Sequence, residues 1–281
     1  MTTEKDIFKR GSTTYYFSSI FFPPKVRDDV FKLYSFVRVA DDYVDNVPTN
    51  TKQFTSLRKL WESSITDKDF QTEVQASDDI NLRVVRNMVF VSRKYSFEHK
   101  WVTSFLDSMQ ADIDQKKYRT IADTFWYMYG SAEVIGLMMA KIMGLPEVSY
   151  KYAQMQGRAM QYINFVRDIA EDNTLGRQYF PVNELKKFGL QDLQQKTVQA
   201  HPESFENFLR AQINLYRTWQ TEADKGFDFI PKRLRIPLQT ATDMYNWTAQ
   251  NIYKAPNLVF VKKLKPSKYR VIGTVIKNTA R

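Results

Sequence analysis

The chain has 281 residues, 43% of them apolar and 15% aromatic, so it can bury a sizeable core, and its net charge is +10. It has no cysteine and only two histidines, His99 and His201, which excludes disulfides, thiol catalysis, iron–sulfur clusters and a histidine-rich metal centre. Any metal must therefore sit on oxygen ligands, which selects Mg²⁺, Mn²⁺ or Ca²⁺.

Nine glycines and few turn dipeptides disfavour hairpin-rich structure. The first residues carry Glu4, Lys5, Asp6, Lys9 and Arg10 and lack the apolar run of a signal peptide. Pro23-Pro24 opens a predicted helix over 25–45, which Asn46 and Pro48 stop. The segment 49–79 is charged and mixed in pattern, and no helix is assigned to it. Helical periodicity returns over 80–91 and 97–116. Another helix covers 121–143, stopped by Gly144 and Pro146. Its apolar run, 134–143, is interrupted by Lys141 and falls short of the ~20 residues that cross a bilayer. A helix over 149–172 follows, then a loop over 173–181. Further helices are predicted over 182–189, 202–227 and 237–253, and the tail after Pro256 reads as basic and irregular. With no repeat and no Gly/Ser linker, the expectation is an all-α bundle forming a single domain over 1–281.

Two of these helices carry polar stripes where apolar faces are expected. At 100° per residue, Tyr34, Arg38, Asp41 and Asp45 fall within about 60° of one another, on a helix otherwise made of Val30, Phe31, Leu33, Phe36, Val37 and Val39. Gln161, Asn164, Asp168 and Asp172 fall within about 80°, flanked by Tyr162, Ile163, Phe165, Val166 and Ile169. Each stripe puts two aspartates at i and i+4, one turn apart on one face. Neighbouring carboxylates repel each other and want cations, and Mg²⁺ is commonly held by one or two carboxylates plus substrate phosphates. Arg38, Arg167 and Arg177 suit phosphate oxygens. A single acidic i,i+4 pair is usually a solvated helix face. Two pairs on apolar helices point to a metal–phosphate site, and spacing alone leaves both readings open.

The segments 38–45 (RVADDYVD) and 161–172 (QYINFVRDIAED) resemble the two aspartate-rich motifs of the squalene/phytoene synthase family. The likeness continues through 12–14 (STT), 109–112 (MQAD), 118–120 (YRT), 127–136 (YMYGSAEVIG) and 175–181 (LGRQYFP), in order and over nearly the whole chain. The resemblance implies an isoprenoid synthase fold, a helical bundle around a central cavity, that joins two prenyl diphosphates head to head. One diphosphate leaves, the second substrate's double bond attacks the allylic cation, and the resulting cyclopropyl diphosphate rearranges to a linear hydrocarbon. It further implies that Asp41, Asp45, Asp168 and Asp172 bind Mg²⁺ (or Mn²⁺) and the diphosphates. Ser12, Thr14, Tyr34, Arg38, Tyr129, Gln161, Asn164, Arg167 and Arg177 are implied to contact substrate, and Tyr179 to act at the reacting centre.

A dry aromatic wall for the cation is expected from Tyr15, Phe17, Phe21, Phe22, Tyr127 and Tyr129. Four residues depart from the family pattern. Lys117 and Lys262-Lys263 stand where arginine is common, and Glu133 falls where small and apolar residues are usual. The spelling is closest to phytoene synthases, which implies two geranylgeranyl diphosphates as substrates. The alternatives are a C30 synthase, with NADPH used only if the product is squalene, and a non-catalytic relative, which would be expected to lose motif aspartates. The charge also raises nucleic-acid binding, but no such motif accompanies it. The expectation is a cytoplasmic monomer whose basic face makes peripheral contact with anionic lipid on the inner face of the membrane.

Overall fold

The computed structural model describes residues 4, 6–7, 19–70, 79–114 and 117–279. Among them every regular element is helical, and the only sheet-like pairing is an isolated bridge between Lys117 and Gln178. Ser12, Thr14, Tyr15 and Phe17 lie outside the described residues.

Helix α1 (Pro24–Asp45) begins on a proline at its first position, where the missing N–H costs nothing. It buries Val30, Phe31, Leu33, Phe36, Val39, Ala40 and Val44. Helix α2 (Thr51–Thr66), capped by Asn50, occupies the segment left unassigned from sequence. Its buried apolar residues are only Phe54, Leu57 and Trp61, about one per turn, and this narrow stripe is hidden among charges. Helices α3 (Ile80–Tyr95) and α4 (His99–Asp114) complete a first cluster in which the Phe36 ring lies 5.9 Å from Trp61 and 6.2 Å from Phe105.

The predicted helix over 121–143 is not regular. Helix α5 (Ile121–Met128) passes into a single π-helical turn (Tyr129–Glu133) and then into α6 (Val134–Ile142). Helix α7 (Tyr150–Arg167) packs along that turn and against α11 (Pro202–Asp224). The approach is close: a Cβ on Gly157 would stand 2.4 Å from the Ala132 carbonyl oxygen. Short helices α8 (Ile169–Thr174), α9 (Val182–Lys186) and α10 (Gln195–Ala200) lead to α11. A second apolar cluster gathers Tyr162, Phe165, Phe180, Phe208 and Tyr216.

Helix α12 (Lys232–Lys254) starts five residues before the predicted position, with Pro237 inside it. The tail is not irregular. After Pro256 it forms α13 (Leu258–Val261) and α14 (Lys268–Thr279), and α14 buries Val271 and Val275 as it packs on α12. Lysines and Pro266 mask this helical spacing in the sequence.

A cavity of about 280 Å³ lies between the helices. Its walls are Val30, Leu33, Tyr34 and Val37 of α1, Ser131, Ala132, Ile135 and Met139 of the π turn and α6, Ala153, Met160, Gln161 and Asn164 of α7, and Pro237, Leu238 and Ala241 of α12.

Candidate active site

Both polar stripes start at this cavity and run past its lining. Tyr34 lines it, and Arg38, Asp41 and Asp45 follow at one-turn steps to the C-terminal end of α1. Gln161 and Asn164 line it from α7, and Asp168 follows where α7 ends. Two helix C-termini therefore bring aspartates to one place, against the helix dipoles, and α1 has no basic residue in its last turn.

The helix predicted over 149–172 bends at Asp168, whose φ of −101° and ψ of 14° leave the helical range. Neighbouring residues on a regular helix do not face each other. The bend lets the Arg167 guanidinium hold the next residue's carboxylate through both oxygens, at 2.8 and 2.5 Å. The ladder survives, with the Asp172 amide donating to the Asp168 carbonyl at 2.8 Å, so the two aspartates stay one turn apart.

Arg177 ties the two motifs together. Gly176 takes a left-handed φ of 69°, reversing the chain, and the Arg177 amide donates to the Asp172 carbonyl at 2.8 Å. The Arg177 guanidinium then donates to Asp45 Oδ1 at 2.6 Å and to the Val44 carbonyl at 2.7 Å. Arg38 pairs with Asp41 at 2.8 Å and also with Asp42. From the tail, Lys263 lies 3.5 Å from Asp168 and also pairs with Glu171, which explains how a lysine serves at that position.

Burial pushes the Asp172 carboxyl well up; Asp168, Asp112 and Asp45 add to the shift and Arg177 opposes it. Asp41 is pushed up to about 7, by burial first and then by Asp45, against Arg38. Its side chain keeps 35% of its surface open, so solvent screens part of that repulsion. The acids of the first and second motifs thus lie within electrostatic reach of one another.

A fifth acid stands among them. Asp112 on α4 is 3% exposed and accepts hydrogen bonds from the Tyr127 and Tyr179 hydroxyls, each at 2.7 Å. Burial pushes it up to about 6, with Arg177 and both tyrosines opposing. Residues 109–112 belong to the family resemblance without marking Asp112 as a site residue; its signal in the sequence is a carboxylate on the same helix face as the apolar Val102, Phe105, Leu106 and Met109.

Other expectations fare differently. Tyr179 does not line the cavity; its hydroxyl is committed to Asp112 and its ring stacks on Phe165 at 4.4 Å. Tyr129 sits elsewhere, on the π turn beside Lys100 and Glu98. Of the expected aromatic wall, Phe22 lines the cavity, Phe21 is largely exposed and Tyr127 is turned toward Asp112. Tyr152 and Phe227 line it instead. The unusual Glu133 is buried and paired with Arg158 Nε at 2.6 Å, and Arg158 lies 4.9 Å over the Phe125 ring.

A match to the family model described as squalene/phytoene synthase extends over residues 8–270. The chain belongs to the squalene/phytoene synthase family. It is accordingly a prenyltransferase with the all-α isoprenoid synthase fold. Family relatives include the 15-cis-phytoene synthase of Paracoccus sp. (strain N81106 / MBIC 01143), 24% identical over 280 residues, covering 96% of this chain and 88% of that one. The 15-cis-phytoene synthase of Enterobacter agglomerans is 26% identical over 249 residues, covering 87% and 83%. The chain spans 65% of the length of the chloroplastic phytoene synthase of an Oncidium hybrid cultivar, at 25% identity. Among solved structures, a dehydrosqualene synthase bound to a ligand superposes with a TM-score of 0.82 at 23% identity, covering 99% of this chain and 94% of that one. The squalene synthase HpnC from Alicyclobacillus acidocaldarius gives 0.71 at 17%, covering 89% and 92%.

The donor set fits a divalent ion with a diphosphate. Among the described residues no three acidic or histidine side chains form a closed metal cage, and Mg²⁺ needs none when substrate phosphates complete its shell. Arg38 Nε, Arg177 Nε and Asn164 Oδ1 are buried without a protein partner, as are other polar atoms away from the site, and these three would be available to a bound ligand.

Proposed function

We propose that this enzyme condenses two geranylgeranyl diphosphates head to head into phytoene through a cyclopropyl diphosphate. The family and the fold support head-to-head prenyl condensation as the reaction class. The observation that best supports the reading is the mutual electrostatic reach of Asp45, Asp112 and Asp172 beside an apolar cavity. A substrate with a charged head and a long hydrocarbon tail needs that combination.

In this reading Asp41, Asp45, Asp168 and Asp172 hold Mg²⁺. When bound, the ion offsets charge on the departing diphosphate. Arg38, Arg167 and Arg177 orient diphosphate oxygens with preorganised N–H donors. Tyr34, Gln161 and Asn164 mark the transition from the acidic end to the apolar wall. Val30, Leu33, Ile135, Met139 and Leu238 keep water from the allylic cation, and Tyr34, Phe22, Tyr152 and Phe227 offer it ring faces. Asp112 holds Tyr127 and Tyr179 behind the acids and positions them. Residues 1–281 are read as one domain, and the tie from Arg177 to Asp45 and Val44 supports that reading. The enzyme acts as a cytoplasmic monomer in peripheral contact with anionic membrane, where its greasy substrate and product partition.

A C30 product is the second reading, favoured by the likeness to a dehydrosqualene synthase over 99% of the chain. Incubation with C15 or C20 diphosphates and Mg²⁺, with and without NADPH, followed by hydrocarbon analysis, separates the two. A C40 product formed without NADPH supports the proposal. A C30 product overturns the substrate assignment, and no hydrocarbon from either overturns the reaction.

A further inference from the structure

From Lys254 to the last residue the sequence has eight cations and no acid, so this short stretch carries most of the excess positive charge. Helix α14 lies within it and presents two different faces. Val271 and Val275 are buried against α12, and Asn278 donates to Thr240 and Asp243 of α12 at 3.3 and 3.0 Å. Tyr269, Ile272 and Ile276, at 88%, 43% and 66% exposure, project from a different face, about 110° round the helix. At 100° per residue these three fall within about 60°, with Lys277 and Arg270 on one flank and Lys268 on the other. The helix is therefore held by one apolar edge and exposes a second one, framed by cations.

We propose that α14 is an interfacial membrane helix, seating Tyr269, Ile272 and Ile276 among the acyl chains while the flanking cations meet anionic headgroups. The inference rests on the membrane contact in the function proposed above and assigns it to a surface. Charge decides the occupant. A second copy docking through the same face would set cations against cations. A nucleic acid would meet isoleucines where phosphates need donors. An anionic bilayer satisfies both components, each nearby Lys or Arg adding to the attraction while the apolar edge inserts. No helix among the described residues is long and apolar enough to cross a membrane, so this contact lies in the plane of the interface. Helix α12 separates α14 from the cavity: Thr240 and Asp243 hold α14, while Pro237, Leu238 and Ala241 line the cavity. A seated α14 sets that wall beside the lipid in which prenyl chains dissolve.

The sequence has no cysteine, so one introduced cysteine takes a label without background. The full-length protein would be prepared as Ile276→Cys and, as a control on exposed Ser63 of α2, Ser63→Cys, each carrying an environment-sensitive fluorophore. Both would be mixed with phosphatidylcholine vesicles with and without phosphatidylglycerol, at low and high salt. The expected result is co-sedimentation with anionic vesicles at low salt, weakened by salt, with a blue shift at position 276 and none at 63. The variant Tyr269→Ser/Ile272→Ser/Ile276→Ser should partition on the order of tenfold or more weaker. Its melting temperature and its turnover of detergent-dispersed prenyl diphosphate should match those of the parent. If the parent binds and the triple variant binds equally, or the label at 63 responds instead, α14 is not the anchor although membrane contact stands. Absence of binding by the parent at low salt removes both. A dimer that the triple variant abolishes, or retention on duplex DNA without vesicle binding, gives the face to another occupant and overturns the proposal.

Discussion

Replacing Asp112 with asparagine tests the electrostatic account of the site. Asp112 is 3% exposed, and its carboxyl is pushed from the usual 3.8 to about 6, mainly by burial. At 1.36 kcal/mol per tenfold, its ionised form costs the folded state about 3 kcal/mol relative to the unfolded chain. Because the folded-state value is raised, the folded protein binds more protons than the unfolded one between these two values. Stability from this group is complete below about pH 4 and is lost as pH climbs through about 6. Asparagine keeps the shape and can still accept from one tyrosine hydroxyl and donate to the other, without the charge. Asp112→Asn should therefore match the parent at pH 4 and exceed it by about 3 kcal/mol at pH 8. With an unfolding entropy of ~2.1 cal/mol/K per residue, that is a rise of about 5 °C in melting temperature. Calorimetry or chemical unfolding at both pH values, without divalent ions, provides the assay. A variant less stable than the parent at pH 8 would show that Tyr127, Tyr179 and Arg177 more than compensate the buried charge, and would refute the reasoning.

Arg158→Ala should destabilise by about 3–5 kcal/mol, because it leaves buried Glu133 without its partner; a loss under about 1 kcal/mol by urea unfolding would contradict a functioning buried pair. Asp168→Ala should abolish hydrocarbon formation with the circular dichroism spectrum unchanged, and a fully active variant would remove Asp168 from the metal role. Protons compete with cations for a carboxyl raised to about 7, as Asp41 is. The thermal stabilisation given by Mg²⁺ with inorganic pyrophosphate should therefore be present at pH 8 and largely gone at pH 6; an equal shift at both pH values would exclude Asp41 as a ligand. Mg²⁺ and pyrophosphate should each tighten the other's binding by the same factor in titration calorimetry, and independent binding would argue against a shared site.

The stripes of α1 and α7 were legible because a helix repeats every 3.6 residues, so polar residues at i, i+4 and i+7 stand out against apolar flanks. What sequence spacing cannot carry is tertiary pairing. Asp112 meets Tyr127 and Tyr179 from 15 and 67 residues away, and no local pattern joins them. The same holds for Tyr179, which the family resemblance implies at the reacting centre and whose hydroxyl donates to Asp112 within electrostatic reach of Asp172 and Arg177. Glu133 looked anomalous because its partner, Arg158, lies on another helix. Local chemistry misled in two places. Pro237 read as a helix start, yet α12 accommodates it beside the cavity, one turn in. In α14, cations and an exposed Gly273 obscured the buried Val271 and Val275.

The acids of the site already have basic partners: Arg38 on Asp41, Arg177 on Asp45, and Arg167 with Lys263 on Asp168. These pairs let a cluster of carboxylates fold, since an unpaired buried charge is costly. They do not neutralise it: Asp41, Asp45, Asp112, Asp168 and Asp172 outnumber Arg38, Arg167, Arg177 and Lys263, and burial adds to the cost of ionising Asp41, Asp112 and Asp172. A chain with a net charge of +10 thus keeps a local excess of negative charge at one end of its cavity. Beside that excess, Arg38 Nε and Arg177 Nε are donors without an acceptor. One place therefore asks for more cation and for more anion at once. A cation alone leaves the arginines unsatisfied, and an anion alone meets the repulsion of the aspartates. In the proposed reading a divalent ion carried on a diphosphate would answer both demands; the reaction class itself rests on the family match and the fold.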